Sequence, residues 1–369
     1  MKILIAGDFC PIDRVANAFE NSDYASVLEE VRDLTSRVDY SIVNFECPVV
    51  DANTKPIDKI GPNLRCTEKG VDAVKYAGFD CVTLANNHFL DFGDKGVMET
   101  IKVLYSKGID HVGGGVNLDE ASRILYKNFD CERLAIINCC EHEFSIATEK
   151  TGGSNPLNLV KQYYAIKSAC QKATRVLVVV HGGHEHWQLP SPRMKETYRF
   201  FIDAGADTVI NHHQHCISGY EVYNGKPIFY GLGNFCFDKP GHRKSKWNEG
   251  YMVVLNYDDT IGFEIHPYRQ CGNIPKVELL PQNSFDAQIR ELNEVIIDEQ
   301  RLKAATDRYY MSCAKQYSNI FEPIGNRYYL ATKQRGWLPS LISKKRKLQA
   351  ENYICCESHR DKLLWYLYH

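Results

Sequence analysis

The sequence predicts a layered α/β domain followed by a helical extension. Three observations carry that reading. Short apolar runs rich in β-branched residues recur through the first 260 or so positions, amphipathic stretches of helical period lie between them, and the composition turns charged and strand-poor after about residue 285.

Lys2–Ala6 reads as a buried strand. Tyr24–Arg37 has helical spacing through Val27, Leu28, Val31 and Leu34. Tyr40–Phe45 is a strand, Gly70–Ala77 a helix and Cys81–Ala85 a strand. Gly93–Lys107 places Val97, Ile101 and Leu104 on one helical face. His111-Val112 opens a strand that runs into Gly113-Gly114-Gly115. Ser122–Asn128 and Arg133–Asn138 read as strands, and Glu141–Pro156 as a long loop or lid with Gly152 and Gly153 as hinges. Leu159–Lys172 is helical, Arg175–Val180 is the most apolar strand, Arg193–Ala204 is helical and Thr208–Ile210 is a short strand. Tyr220–Tyr223 and Ile228–Leu232 flank an Asn224-Gly225 turn, and Tyr251–Tyr257 and Gly262–His266 are further strands. The shift near Pro275–Ser284 divides the chain into a domain over 1–270 and a helical extension or cap over 285–369. Tyr309, Tyr310, Tyr328, Tyr329, Trp337, Trp365 and Tyr366 are read as packing for that cap or as a dimer face, and a homo-oligomer stays open.

A chain of 369 residues with 44% apolar and 24% charged residues buries a core without disulfides. A net charge of −2 gives no general attraction to nucleic acid or to an anionic membrane. Apolar runs such as Val176–Val180 fall far short of the roughly 20 residues of a spanning helix. The four apolar residues Ile3–Ala6, ended by Gly-Asp, are too few for a signal sequence. The 14 cysteines show no CxxC, and the vicinal pairs Cys139-Cys140 and Cys355-Cys356 are read as reduced. A cytoplasmic location follows as the expectation. Lys344-Lys345-Arg346-Lys347 reads as a solvated helix face.

Residues of metal-ligand type recur where strands are predicted to end. Asp8 follows the first, Asn44 and Glu46 the second, Asn86-Asn87-His88 the third, His181 the strand Arg175–Val180, and His212, His213 and His215 the strand Thr208–Ile210. In open α/β sheets these ends gather in one crevice. Carboxylate, amide oxygen and imidazole together suit first-row divalent ions such as Mn, Zn or Fe. Two such ions roughly 3.5–4 Å apart clamp a water-derived nucleophile and an oxyanion. Three histidines within four positions at one strand end are poorly explained by packing, and His181-Gly182-Gly183-His184-Glu185-His186 is a second dense cluster.

The blocks Gly7-Asp8, Asn44-Phe45-Glu46, Gly61-Pro62…Arg65, Asn86-Asn87-His88…Asp91-Phe92-Gly93, Gly113-Gly114-Gly115, His181-Gly182-Gly183-His184-Glu185, His212-His213-Gln214-His215 and Gly231-Leu232-Gly233-Asn234-Phe235 occur in that order over residues 1–260. The sequence thereby resembles the CapA family of capsule, or poly-γ-glutamate, biosynthesis proteins, a branch of the calcineurin-like metallophosphoesterases. The resemblance implies a four-layer α/β/β/α sandwich with a dinuclear metal site at the sheet ends. It implies Asp8 and His215 on the first metal, Asn87, His181 and His213 on the second, and Glu46 bridging both. It makes His88 the proton donor to a leaving group and Arg65 an anion clamp. Asn44, Asn86, His184, Glu185 and Asn234 would line the substrate. Cys10 stands where the superfamily usually has histidine, the bridging acid lies in Asn-Phe-Glu, and Gly182 stands where the family usually has tryptophan.

Two functions compete at this level. One is a metal-dependent hydrolase of a phosphoester or a γ-glutamyl amide, with Arg65 and Lys244 holding carboxylates. The other is a non-catalytic accessory of anionic polymer synthesis. Both imply an anionic small molecule or polymer as partner. A packed domain with purely structural histidines is the third reading, disfavoured because five loops supply ligands together.

Overall fold

The structure, a computed structural model, describes residues 1–321, 328, 337 and 343–368. The chain alternates as the apolar runs require. Strand β1 (Lys2–Phe9) leads to helices α1 (Asp13–Glu20) and α2 (Ala25–Thr35), then β2 (Tyr40–Phe45), α3 (Glu68–Tyr76), β3 (Cys81–Thr83), α4 (Gly93–Lys107) and β4 (Asp110–Val112). A short β5 (Gly114–Gly115) and α5 (Leu118–Ala121) precede the antiparallel pair β6 (Leu125–Phe129) and β7 (Glu132–Cys140), after which come β8 (Gly153–Ser154), α6 (Leu159–Cys170), β9 (Arg175–His181), α7 (Pro192–Ala204) and β10 (Thr208–His212). The hairpin β11 (Tyr220–Tyr223) and β12 (Lys226–Phe229) leads to β13 (Asn234–Cys236), β14 (Glu249–Tyr257), β15 (Ile261–Gln270) and β16 (Val277–Leu279). Helices α8 (Asp286–Ile297), α9 (Glu299–Phe321), α10 (Lys344–Cys355) and α11 (Glu357–Tyr368) follow.

Two large sheets result. One has the order β16-β15-β14-β1-β2-β3-β4, with β13 also paired to β1, and the other the order β11-β12-β10-β9-β7-β6. Both faces of β1, β2 and β9 are buried, which is why these strands read as continuous apolar runs. Three cores separate four layers. Ile3, Ile5 and Ile42 of the first sheet meet Leu177, Val179 and Ile210 of the second in the middle core. Leu4, Val43 and Val82 face helices α1 to α4 through residues such as Phe19, Val31 and Val97. Val178, Val180 and Val209 face α6 and α7 through Ile166, Phe201 and Ile202. The protein is therefore an α/β/β/α sandwich with a helical C-terminal extension.

Four local readings change. Helix α1 escapes the sequence pattern because it is two turns long and has no side-chain N-cap, starting instead from Asp13 in a left-handed conformation (φ 52°). The start expected for a strand at Ser122 belongs to α5, which Asn117 caps by accepting from Glu120 N at 2.9 Å, so β6 begins at Leu125. The strand expected to run to Leu232 ends at Phe229, and Asn234–Cys236 forms its own pairing with β1. Glu141–Pro156 is pinned rather than hinged. Gly153 and Ser154 pair with β5, Gly152 N donates to Asp94 Oδ1 at 2.7 Å, and a Cβ at Gly153 would lie 2.4 Å from the Ser145 carbonyl oxygen. The two glycines permit close packing there.

The C-terminal helices lie against the sandwich. Tyr220 N donates to Asn293 Oδ1 of α8 at 2.7 Å. Tyr309 of α9 stacks on Trp187 with ring centroids 4.5 Å apart, and Tyr310 reaches His184. Trp365 donates to Asp307 Oδ1 at 3.1 Å, tying α11 to α9. Tyr366 is half-buried, Tyr328 and Trp337 are exposed, and Tyr329 lies outside the described residues. Residues 344–347 are exposed, as a solvated face requires. Of the 14 free cysteines, ten are buried, in keeping with a role as small apolar residues.

Gly7 of β1 packs tightly against the backbone that leads into β13. A Cβ there would sit 1.9 Å from the Gly233 carbonyl oxygen, which is held as backbone and accepts from Asp8 N. Gly7→Ala must push β13 off β1. The expected cost is about 3 kcal/mol, at the upper end of the range for core overpacking, read by chemical denaturation.

Candidate metal centre

Parallel pairing sets polar residues of neighbouring strands level with each other. Asp8 lies opposite Asn44 in the β1–β2 register, and His181 lies opposite His212 in β9–β10. The two sheets thus deliver their strand ends to one pocket. Asp8, Glu46, Asn87, His181, His213 and His215 are all buried there.

Two donor groups share one carboxylate. Glu46, His181 and His213 offer ligand atoms all within 4.8 Å of one another, and so do Asp8, Glu46 and His215. Glu46 Oε1 is 3.8 Å from His181 Nε2 and 3.6 Å from His215 Nε2. His215 Nδ1 is 3.4 Å from Asp8 Oδ2. Asn87 Oδ1 lies 3.0 Å from His181 Nε2, which is 3.1 Å from His213 Nδ1.

The two acids are treated very differently by their surroundings. Asp8 accepts from Asn44 Nδ2 at 2.8 Å and from the His213 backbone N–H at 3.3 Å. Against the upward push of burial, His212 and His215 hold it well below the usual carboxylate range. Glu46 is fully buried and neither of its oxygens has a hydrogen-bond partner. Burial, then the charge of Asp8, pushes its carboxyl well above the ordinary value. A buried carboxylate is stable when paired or bound to a cation. With imidazoles on both sides and no donor, Glu46 fits a bridging position between two divalent ions. Burial also holds His181 well below its usual value, so its ring is neutral and fit to ligate. His213 (φ 91°) and His215 (φ 55°) adopt left-handed backbone conformations, a strain of about 1–3 kcal/mol each that turns both rings into the pocket.

Several residues expected to line the substrate are hydrogen-bonded within or beside the cluster. Asn44 donates to Asp8 and lies 3.2 Å from His181 Nδ1, and its own oxygen accepts from the Thr83 hydroxyl at 3.0 Å. Asn86 is spent on backbone, donating to Phe45 O at 2.9 Å and accepting from His88 N at 3.1 Å. Asn234 Oδ1 lies 2.9 Å from His215 Nδ1, fixing that ring. All three are buried. His184 is buried under the extension, with Nε2 3.0 Å from the Tyr310 hydroxyl. Glu185 is half-exposed and reaches His213 and His215 from the mouth. Burial pushes its carboxyl up, but the charges of His213, His215 and His186 outweigh this and bring it down to about 2.

Arg65 is not brought to the cluster by any contact among the described residues. Its exposed guanidinium donates to Ala52 O at 3.2 Å and lies over the Phe92 ring. The cation beside the centre is Lys59, which sequence reasoning missed. Its buried ammonium pairs with Asp91 and lies 3.1 Å from His88 Nδ1. His88 Nδ1 is also 2.7 Å from Asp91 Oδ2, the geometry of an N–H donating to a carboxylate. Burial first, and then the Lys59 charge, hold the His88 ring below its ordinary value. Nothing local marks Lys59 in the sequence, whereas the Asp91 three positions after His88 was within the motif. Cys10 is buried among apolar residues, with burial pushing its thiol up to about 11, and it belongs to neither donor group.

Together these features make an α/β/β/α sandwich that gathers carboxylate and imidazole side chains where the strands of its two sheets end. Residues 2–239 match the family described as the bacterial capsule synthesis protein PGA_cap, and the chain belongs to that family. It is 37% identical over 274 residues to the capsule biosynthesis protein CapA of Bacillus anthracis, covering 72% of this chain and 66% of that one. It is 31% identical over 265 residues to the PGA biosynthesis protein CapA of Bacillus subtilis, covering 71% and 69%. It is 32% identical over 258 residues to a protein of Mycobacterium tuberculosis named as a polyglutamine synthesis accessory protein, covering 66% and 65%. The chain thus spans about two thirds of the length of these relatives. Among solved structures it is similar to a phosphatase from Mycoplasma pneumoniae, with TM-score 0.43 and 17% identity over 76% of this chain and 95% of that one. A likeness of that depth says nothing about chemistry. Among the described residues no helix is long and apolar enough to cross a membrane.

Proposed function

We propose that the protein is a metal-dependent hydrolase of capsule or poly-γ-glutamate metabolism, acting on a phosphoester or a γ-glutamyl amide. The observation that carries this is Glu46, fully buried, without a hydrogen-bond donor, between two imidazole-bearing half-sites. Asp8 and His215 would hold one ion, Asn87, His181 and His213 the other, and Glu46 both. Divalent ions so bound supply Lewis-acid charge for an anionic oxygen. The protein's own groups supply the rest. Asp91 holds the His88 ring through Nδ1, leaving Nε2 as the ring atom that exchanges a proton with a leaving group. Asn44 and Asn234 keep Asp8 and His215 in position. Glu185 sits at the mouth, where its negative charge favours a substrate with a cationic or neutral group on that side. The anionic polymer is the partner class that the relatives' names support.

The accessory reading is supported by the name of the M. tuberculosis relative. The two separate on turnover. Protein loaded with Mn, Zn or Fe(II) is expected to hydrolyse at least one member of a panel of phosphoesters and γ-glutamyl peptides, and Asp8→Ala/His215→Ala is expected to abolish it. Equal background rates for both proteins over the whole panel would leave only the accessory role.

A further inference from the structure

A second cluster of ligand-type side chains lies outside the Asp8–Glu46 centre, where the C-terminal extension meets the sandwich. Cys356 and His359 bracket the first turn of α11, three residues apart and so on one face. Glu143 comes from the segment that follows β7. Their sulfur, nitrogen and oxygen atoms all lie within 4.8 Å of one another, with His359 Nε2 3.7 Å from Glu143 Oε1. We propose that Glu143, Cys356 and His359 form a further divalent-metal site, matched to zinc, that clasps the C-terminal helix to the rim of the candidate centre.

The two segments are already zipped in register around it. Glu141 accepts from Ser358 N at 3.3 Å, and the Ser358 hydroxyl also donates to it. His142 N donates to Glu357 Oε2 at 2.8 Å, and His142 Nδ1 lies 2.6 Å from Glu357 Oε1. Arg193 ties Glu141 to Asp361, at 2.7 Å to each. Residues 141 and 142 therefore fix where 357 and 358 sit, and this brings 143 to 356 and 359.

Ligand type and spacing agree with zinc. Thiolate, imidazole and carboxylate form a borderline set, with bonds of roughly 2.3, 2.1 and 2.1 Å. Tetrahedral angles at those lengths put ligand atoms about 3.4–3.6 Å apart, so 3.7 Å between His359 and Glu143 is already close to that spacing. Cys356 is buried, whereas Glu143 and His359 are half-buried. Burial and the charges of Glu143 and Glu141 push the Cys356 thiol well up, so binding must release its proton to solvent. The site shares no ligand with the two donor groups around Glu46. It borders them all the same. Glu141 N donates to the His181 carbonyl oxygen at 3.0 Å, so a clasp on this segment bears on the strand end that carries a ligand.

The test uses the full chain, stripped with chelator and reloaded with Co2+, and does not depend on turnover. A thiolate-to-cobalt charge-transfer band in the near ultraviolet is expected in the wild type and in Asp8→Ala/His215→Ala. Cys356→Ser is expected to remove the band and one metal equivalent while the remaining metal stays, and Cys10→Ser to leave the band. If Cys356→Ser does not fold, His359→Gln decides, and it is expected to lose the same equivalent. A wild type without the band, or a band that survives the loss of Cys356 or His359, overturns the site. Because the readout is spectroscopic, its failure leaves the hydrolase reading untouched, and the reverse also holds.

Discussion

Replacing Glu46 by Gln is expected to empty the Asp8–Glu46 centre while making the metal-free protein no less stable. In the metal-free chain Glu46 is fully buried without a donor, and its carboxyl is pushed well above the ordinary value by burial and by Asp8. A raised carboxyl value contributes stability that is present below the unfolded value, near pH 4.5, and is lost as pH rises towards the folded one. Metal-free wild type is therefore expected to lose stability from this group between about pH 5 and neutrality, and the Gln variant to be spared that loss. Metal reverses the order. An ion at roughly a thousand times its Kd stabilises the native state by about 4 kcal/mol, and only the wild type has the shared carboxylate to bind two. Thermal melts with and without added Mn2+ or Zn2+, beside elemental analysis, should show the two curves crossing. A Gln variant that retains both ions, or a metal-free wild type more stable than it at neutral pH, would refute the bridging role of Glu46.

Much of the fold and the gathering of polar residues at the sheet ends was legible in the sequence. Continuous apolar runs such as Arg175–Val180 mark strands buried on both faces, and polar residues at their ends mark the crevice. Parallel pairing then brings Asp8 level with Asn44 and His181 with His212, which is why residues scattered over two hundred positions could be grouped. What could not be read depends on distance across the fold. Asn44 and Asn234 are amides near a metal site in sequence, but only packing shows that their hydrogen bonds are spent on Asp8 and His215. Arg65 has the right chemistry for an anion clamp, yet its guanidinium lies over the Phe92 ring and donates to a backbone carbonyl. Lys59 sits in a loop without periodicity, and its burial follows from an Asp thirty-two residues away. The extension looked like a generic helical cap, and its register on residues 141 and 142 is set by side chains more than two hundred positions apart.

His88→Ala is expected to leave metal content unchanged and to lower turnover by about 10²- to 10⁴-fold, the range for loss of a positioned acid or base. The ring belongs to neither donor group around Glu46, so its removal takes no ligand away. Its neighbours show why it is suited to proton exchange. Asp91, 2.7 Å from Nδ1, favours the protonated ring that a proton donor needs, whereas burial and then the Lys59 charge hold the ring below its ordinary value, so that a proton on Nε2 is given up readily. The variant leaves Lys59 and Asp91 paired with each other, so the fold has no unpaired buried charge to expose. The loss should be steepest for substrates with poor leaving groups and shallow for an activated aryl ester, whose departure needs no proton. Equal losses for both substrates would make His88 a positioning residue for Asn87, its neighbour in the chain. Unchanged turnover for both would remove it from the chemistry altogether.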